Sequence, residues 1–342
     1  MIEADGQDEW YEGLPLKRDP LSMEPVELLD CIKSAGIVGM GGATFPTHVK
    51  LSPPKDKKID LFVVNGAECE PFLTADYRLM LEESERIFGG VKIVMKILGL
   101  NEAVIAIEDN KPEALKALRA KAPAGVKIEY VKTKYPQGAE KQLIYAVSGR
   151  EVPSGGLPMD AGALVQNTGT VAAIWDACAT GAPLIERITT VTGRGIAEPK
   201  NIRVRVGTPL EKVVEFCGGL KDAGKIISGG PMMGFALGGL NSVIMKGTSG
   251  LTILSQDEVN KSAMSNCIAC GRCVDACPMG LVPSTFSKLG ERNLFERAMN
   301  ENLMDCFECG CCTYVCPAHR PIVQYVKHLK ALGREASAKK GA

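Results

Sequence analysis

No stretch of this sequence approaches the roughly 18 to 20 consecutive apolar residues that a membrane-spanning helix needs. The longest candidate, around Phe235 to Met245, is short and broken by glycine, so the chain is expected to have no transmembrane segment of its own. An excess of charge is lacking as well. Lys plus Arg number 40 and Asp plus Glu number 40, and nothing in that balance favours a polyanion such as nucleic acid. The start, MIEADGQDEWYEG, has neither a basic opening nor an apolar run, which excludes a secretory signal or transit peptide and leads to the expectation of a cytoplasmic protein. Partners for a full set of disulfides are missing too. The 13 cysteines are odd in number and nine of them crowd between Cys267 and Cys316, which points to metal ligation instead. The scattered Cys31, Cys69, Cys178 and Cys217 read as small buried thiols.

What is present divides into three textures, as a chain of 342 residues allows at about 150 residues per domain. Ser22 reads as the cap of a helix through Pro25 that ends at Gly36. After the glycine-rich GIVGMGGATFP, apolar runs alternate with helical periodicity: IDLFVVN as strand, Asp76 to Leu98 as helix, AVIAIED as strand, Pro112 to Ala120 as helix, VKIEYVK as strand, Ala139 to Val147 as helix. A strand at Ala163 to Gln166 and a helix from Thr170 to Ala179 complete a mainly parallel α/β module over residues 1–183. From 184 to 250, short strands (RITTVTG, NIRVRVG, KIISGG) and one helix starting at Thr208 suit a β-grasp (SLBB-like) domain, with Gly238 to Asn260 as a connection bearing one strand, GLTIL. Residues 258–335 form the cysteine-rich module.

That module carries a repeat. Cys267, Cys270, Cys273, Cys277 with Pro278, and Cys306, Cys309, Cys312, Cys316 with Pro317, both read C-x2-C-x2-C-x3-C-P. Three closely spaced thiolates face one cubane while the fourth, set off by proline, serves the other. One 4Fe-4S cluster is therefore assigned to Cys267, Cys270, Cys273 and Cys316, and a second to Cys306, Cys309, Cys312 and Cys277. Paired zinc sites also use C-x2-C, but not this triple spacing twice over. Cys311 falls outside the ladder, and His319 reads as helix surface or core. Helical spacing at Leu289, Leu294, Phe295 and Met299 makes the module an α-helical double-cluster ferredoxin, an electron wire.

A wire needs ends. Gly39, Gly41 and Gly42 lie between two α/β elements, where backbone N–H groups can approach an anionic or planar ligand; the third glycine of a Rossmann fingerprint is absent. Phe45 and Lys50 follow, then Asn65, Glu68 and Glu70 in NGAECEP, a supply of donors and acceptors of the kind that meets nucleotide hydroxyls.

These segments in order, GMGGATFPTHVK, NGAECEPFLTADYRLM, YPQGAEKQLIYAVSG, VQNTGTVAAIWDA and the double ladder, resemble the C subunits of Rnf electron-transport complexes. The first module is in turn similar to the flavoprotein subunit of respiratory complex I. The resemblance implies that Gly39, Gly41, Lys50, Asn65, Glu68 and Gly138, with Asn167 and Thr168, hold FMN, that Gly42 allows close packing, and that Phe45, Glu70 and Glu140 lie toward NAD(H). Ala67 and Ala139 stand where the complex I pattern is acidic, so contacts there must differ. Family members usually carry an additional N-terminal domain, and this sequence starts just ahead of the flavin module.

The resemblance further implies a subunit that exchanges electrons between NADH, FMN and two clusters, with membrane and ferredoxin-type Rnf subunits as partners. Sodium or proton movement would occur elsewhere in that assembly, with this chain peripheral on the cytoplasmic side of the membrane. The competing readings are a soluble NADH-dependent reductase similar to the cobalamin reductases of propanediol-using microcompartments, and a relay scaffold that binds no nucleotide. In the first, the order of small domain and ferredoxin differs.

Overall fold

The strands of the first sheet are apolar on both faces. Leu61–Gly66 (β1), Ala103–Glu108 (β2) and Ala163–Asn167 (β4) are buried almost throughout, whereas Val126–Val131 (β3) alternates buried and exposed. Continuous burial is what a parallel strand covered by helices on both sides requires, and the alternating strand takes the edge: the order is β3-β2-β1-β4, all parallel. The computed structural model that gives this sheet describes residues 6, 7 and 9–340, the side chains of 337–340 excepted.

Pro25–Ser34 (α1), Thr47–Lys50 (α2), Ala75–Glu82 (α3), Ser84–Leu98 (α4), Pro112–Lys121 (α5), Glu140–Ser148 (α6) and Thr168–Thr180 (α7) surround it. On one face Phe62, Val64, Ile105 and Ile107 pack with Ile87, Val91, Val171 and Ile174 from α4 and α7. On the other, Val63, Ala106 and Val165 meet Leu143 and Ile144 of α6. A Cβ on Gly90 would lie 1.7 Å from the Val171 carbonyl oxygen, so the paired glycines inside α4 let it lie directly against α7. The expected helix over 76–98 is two helices, broken at Glu83 (φ −130°, ψ 34°), whose carboxylate is held by Arg86 and Arg203. Ser22 ends a short 3-10 turn capped by Asp19. The first helix instead starts after Glu24, whose N–H donates to Glu27 at 2.8 Å.

Beyond the end of β2, Lys111 Nζ donates to Glu108 Oε2 at 2.8 Å, with side chains only 9% and 2% exposed. Lys111→Met is expected to lower unfolding free energy by about 3–5 kcal/mol, because it strands a buried carboxylate. Urea denaturation of the single variant and of the Glu108→Leu/Lys111→Met pair checks this; the pair regains most of the loss if the uncompensated charge is the cause.

The second sheet is mixed. Glu186–Thr192 (β5), Lys200–Arg205 (β6), Ala223–Ser228 (β7), Phe235–Leu237 (β8) and Gly250–Ser255 (β9) lie in the order β6-β5-β9-β7-β8, with β5 and β9 parallel and the other pairs antiparallel. Leu210–Phe216 (α8) closes its core through Leu210, Val213 and Val214. The segment read as a connection therefore supplies the sheet's central strand: Leu251 and Ile253 are fully buried in the core of this β-grasp. A continuous apolar run, GLTIL, is the pattern of such a strand.

The last module is helical: Arg272–Asp275 (α9), Pro283–Gly290 (α10), Phe295–Asn300 (α11), Cys311–Tyr314 (α12) and Ile322–Lys340 (α13). Phe286, Leu289, Ala298, Leu303, Val326 and Leu329 form its core. Among the described residues no helix is long and apolar enough to cross a membrane.

Candidate cofactor sites

Two crossovers leave the first sheet in opposite directions on either side of β1 and β4, and ligands of open α/β sheets lie outside the carboxyl ends of the strands at such a switch point. Asn65 of β1 and Asn167 of β4 stand there in register. Asn65 Nδ2 donates to the Gly138 carbonyl at 2.8 Å and its Oδ1 accepts from Ala67 N at 3.1 Å. Asn167 Oδ1 caps α7 by accepting from Gly169 N at 2.9 Å, and its Nδ2 donates to Asp76 Oδ2 at 2.7 Å. The first amide thus ties the Gly138 loop to the end of β1, and the second ties α3 to the start of α7.

The loop from Gly39 to Phe45 is pinned over the same point. Gly39 N donates to the Phe45 carbonyl at 2.9 Å, and Met40 N to Thr170 Oγ1 at 2.9 Å. A Cβ on Gly41 would stand 3.1 Å from the Asn167 Cβ, so glycine is what lets the loop cross Asn167. At Gly42 no protein atom lies within 4 Å of an added Cβ, and its φ of +149° makes glycine a conformational need. Gly138 is demanded by packing, since a Cβ there would meet the Ala67 carbonyl at 2.3 Å. Lys50 pairs with Glu140 at the start of α6, and Phe45 is 51% exposed beside the loop.

The acidic residues have structural engagements. Glu68 accepts from the N–H groups of Asp76 (2.9 Å) and Tyr77 (3.1 Å), capping α3 from outside it. Burial, with the Asp76 carboxyl beside it, pushes its pKa up to about 8. Burial also raises Asp76, against the pull of the Asn167 amide and Arg187. Glu70 accepts from Met232 N (3.1 Å) and Met233 N (2.7 Å) of the β-grasp domain. Glu70 thus already bridges the first module and the β-grasp domain. Cys69 accepts from Gly138 N at 3.3 Å, and burial pushes its thiol up to about 11.

Buried polar atoms without hydrogen-bond partners provide the test of fit for a flavin. Thr47 Oγ1, Gln137 Oε1, Gln166 Nε2 and Thr168 Oγ1 are such atoms, and they lie after the glycine loop, before Gly138, at the end of β4 and at the start of α7. Buried polar groups are normally satisfied, so a ligand rich in donors and acceptors suits these four atoms. Gln137 and Gln166 escape a reading of the sequence as site residues; a glutamine inside the apolar strand ALVQN is the signal that could have found one of them.

In the last module the repeat extends to the backbone. Ala269 and Glu308, Gly271 and Gly310, and Gly280 and His319 occupy equivalent ladder positions and all have positive φ, a conformation that turns successive N–H groups toward a concavity. Cys267, Cys270, Cys273 and Cys316 line one cavity. Cys277, Cys306, Cys309 and Cys312 line another, with Cys311 at its wall. Each cavity thus gathers three thiols of one ladder and the last thiol of the other. Four thiols around each cavity, three from one ladder and one from the other, fit a 4Fe-4S cluster. Tyr135, the first residue of the YPQGAEK segment, donates its hydroxyl to the Cys309 carbonyl at 2.5 Å.

Comparison with known proteins agrees with this layout. A model described as the Nuo51 FMN-binding domain matches residues 32–176, the SLBB domain 188–236, and a 4Fe-4S dicluster domain 266–319. The C subunit of the proton-translocating ferredoxin:NAD(+) oxidoreductase complex of Clostridium ljungdahlii is 56% identical over 346 residues, covering 100% of this chain and 76% of that protein. The Na(+)-translocating counterpart of Acetobacterium woodii is 45% identical, covering 96% and 75%. The crystal structure of an NAD+-reducing [NiFe]-hydrogenase in the H2-reduced state shares the fold, with a TM-score of 0.62 at 17% identity over 92% of this chain and 63% of that one. By its sequence likeness along the whole length, this chain belongs to the family of ferredoxin:NAD(+) oxidoreductase complex C subunits.

Proposed function

We propose that this chain is the electron-transfer subunit that joins NAD(H) to two 4Fe-4S clusters in an ion-translocating ferredoxin:NAD oxidoreductase. FMN and the clusters, when bound, supply the conversion between hydride chemistry and single-electron transfer. The chain's own work is to hold, orient and space them. In this reading Gly39, Gly41, Lys50, Asn65, Asn167 and Thr168 hold the flavin, with Gln137 and Gln166 completing their hydrogen bonding. Phe45, Glu70 and Glu140 face the nicotinamide nucleotide.

The observation that carries the proposal is the crossing of the two ladders into two cavities, combined with where the first module touches them. Tyr135 reaches the Cys309 carbonyl; Gln142 Nε2 donates to the Pro278 carbonyl at 3.1 Å. Ser154 and Gly155 N hold the Asp305 carboxylate, the latter at 2.9 Å. All of these contacts fall beside the Cys277/Cys306/Cys309/Cys312 cavity, whereas Cys270 of the other cavity is exposed. Electrons therefore pass between the flavin and the nearer cluster, and the farther cluster serves the partner subunits. Relatives are named for different coupling ions, protons in one and sodium in another, which suits an ion path outside this chain. We place it peripherally on the cytoplasmic face, docked on the membrane subunits.

Glu70→Gln tests the nucleotide end. Loss of a charge-assisted bond worth roughly 1.5–3 kcal/mol is expected to raise KM for NADH by about tenfold or more while the flavin stays bound. Unchanged NADH kinetics would leave Glu70 as a strut between the first module and the β-grasp domain.

A further inference from the structure

Arg320 is 3% exposed, follows the second ladder by four residues, and lines the cavity of Cys267, Cys270, Cys273 and Cys316. Nε donates to Ser287 Oγ at 2.8 Å and Nη1 to the Ser265 carbonyl at 3.3 Å. These two bonds fix the guanidinium plane. Nη2 is in ion contact with Glu291 Oε1 at 2.5 Å, but out of hydrogen-bond alignment, and it has no other acceptor. A buried guanidinium at the wall of a cavity ringed by four thiols sets a positive charge beside whatever those thiols hold.

The two cavities differ in this respect. Lys288 and Arg320 line the first, Arg320 in contact with Glu291 from outside the lining. The described lining of the second carries no charged side chain. Outside that lining, Lys330 donates to the Cys306 carbonyl at 2.5 Å and pairs with Glu308 at 3.0 Å.

Reduction adds one negative charge to a cluster, and both hydrogen bonds to its sulfurs and nearby positive charge favour the reduced form. We infer that Arg320 is a tuning residue that raises the reduction potential of the cluster held by Cys267, Cys270, Cys273 and Cys316 above that of its neighbour. Electrons entering the module then settle on the cluster farther from the flavin, beside the exposed Cys270. Glu291, with its side chain 36% exposed, partly offsets this cation. The inference rests on the cavities holding clusters.

The test is electron paramagnetic resonance of the whole reconstituted protein poised at a series of potentials, in wild type, Arg320→Gln, Arg320→Lys and Glu291→Gln. The cluster concerned is identified by the signal that Cys270→Ser removes. Arg320→Gln is expected to shift that signal alone to lower potential by about tenfold in the reduced-to-oxidised ratio, 59 mV for one electron. Arg320→Lys recovers part of the shift, and Glu291→Gln moves the same signal upward. A role in folding alone would not move a potential in opposite directions in the two variants. Equal shifts in both clusters, no shift, or a downward shift in Glu291→Gln would overturn the inference. If Arg320→Gln does not assemble, the direction in Glu291→Gln decides. Absence of a four-iron signal from the wild type would instead overturn the cluster assignment.

Discussion

Replacing Cys277 by alanine is expected to abolish the same cluster that Cys309→Ala abolishes, although Cys277 belongs to the other ladder. The cavity lined by Cys306, Cys309 and Cys312 draws its fourth thiol from Cys277, and the cavity of Cys267, Cys270 and Cys273 draws its fourth from Cys316. A cubane needs four ligands, so loss of any one removes or degrades its cluster. Iron content should fall from about eight to about four per chain in each single variant. The pattern of survivors carries the information: Cys277→Ala and Cys309→Ala retain one common spectrum, Cys316→Ala and Cys270→Ala the other. If each ladder instead filled its own cluster, Cys277→Ala would match Cys270→Ala.

The same variants separate near from far. The first module touches the Cys309 side of the junction through Tyr135 and Gln142. Without the nearer cluster, NADH-driven reduction of the surviving one should fall to background. Without the farther one, reduction of the nearer should persist. Stopped-flow absorbance with NADH measures both.

Gly41→Val is expected to empty the flavin site while leaving both clusters in place. A Cβ at Gly41 already comes within 3.1 Å of Asn167, and the branches of valine extend farther. Asn167 cannot yield cheaply, because it caps α7 and binds Asp76. Overpacking costs about 1–3 kcal/mol and a lost cap about 1 kcal/mol. That energy, taken from flavin binding, weakens it about tenfold or more. Flavin released on denaturation, set against iron per chain, checks the split. Retained flavin would move the site off this loop.

Much of this is legible in the sequence because the pattern and the physics coincide. Four-ligand ladders are local in sequence, and the parallel strands declare themselves by apolar runs bounded by turns. The glycine loop is visible as composition, yet the reason for each glycine is not: Gly41 crosses Asn167, Gly138 crosses Ala67, and Gly42 faces open space, all of which depend on partners distant in the chain. Glu70 illustrates the same limit, since its engagement with Met232 and Met233 lies 162 and 163 residues away. The break at Glu83 is hidden because a helical pattern continues across it. The strand β9 resembles a mere connection because its neighbours in the sheet, β5 and β7, are separated from it by intervening segments. Tyr135 lies in the YPQGAEK segment, but its partner Cys309 is 174 residues away; Arg320 carries no motif, and only its burial beside the ladder singles it out.

The central claim, a working relay from NADH to the clusters within this one chain, is tested most directly by anaerobic purification. Iron, acid-labile sulfide and released flavin are measured, and NADH is then added under an absorbance spectrometer. About eight irons, one flavin and bleaching of both chromophores by NADH are predicted. A protein with its full iron but neither flavin nor bleaching would contradict the account and leave an electron-relay scaffold in its place.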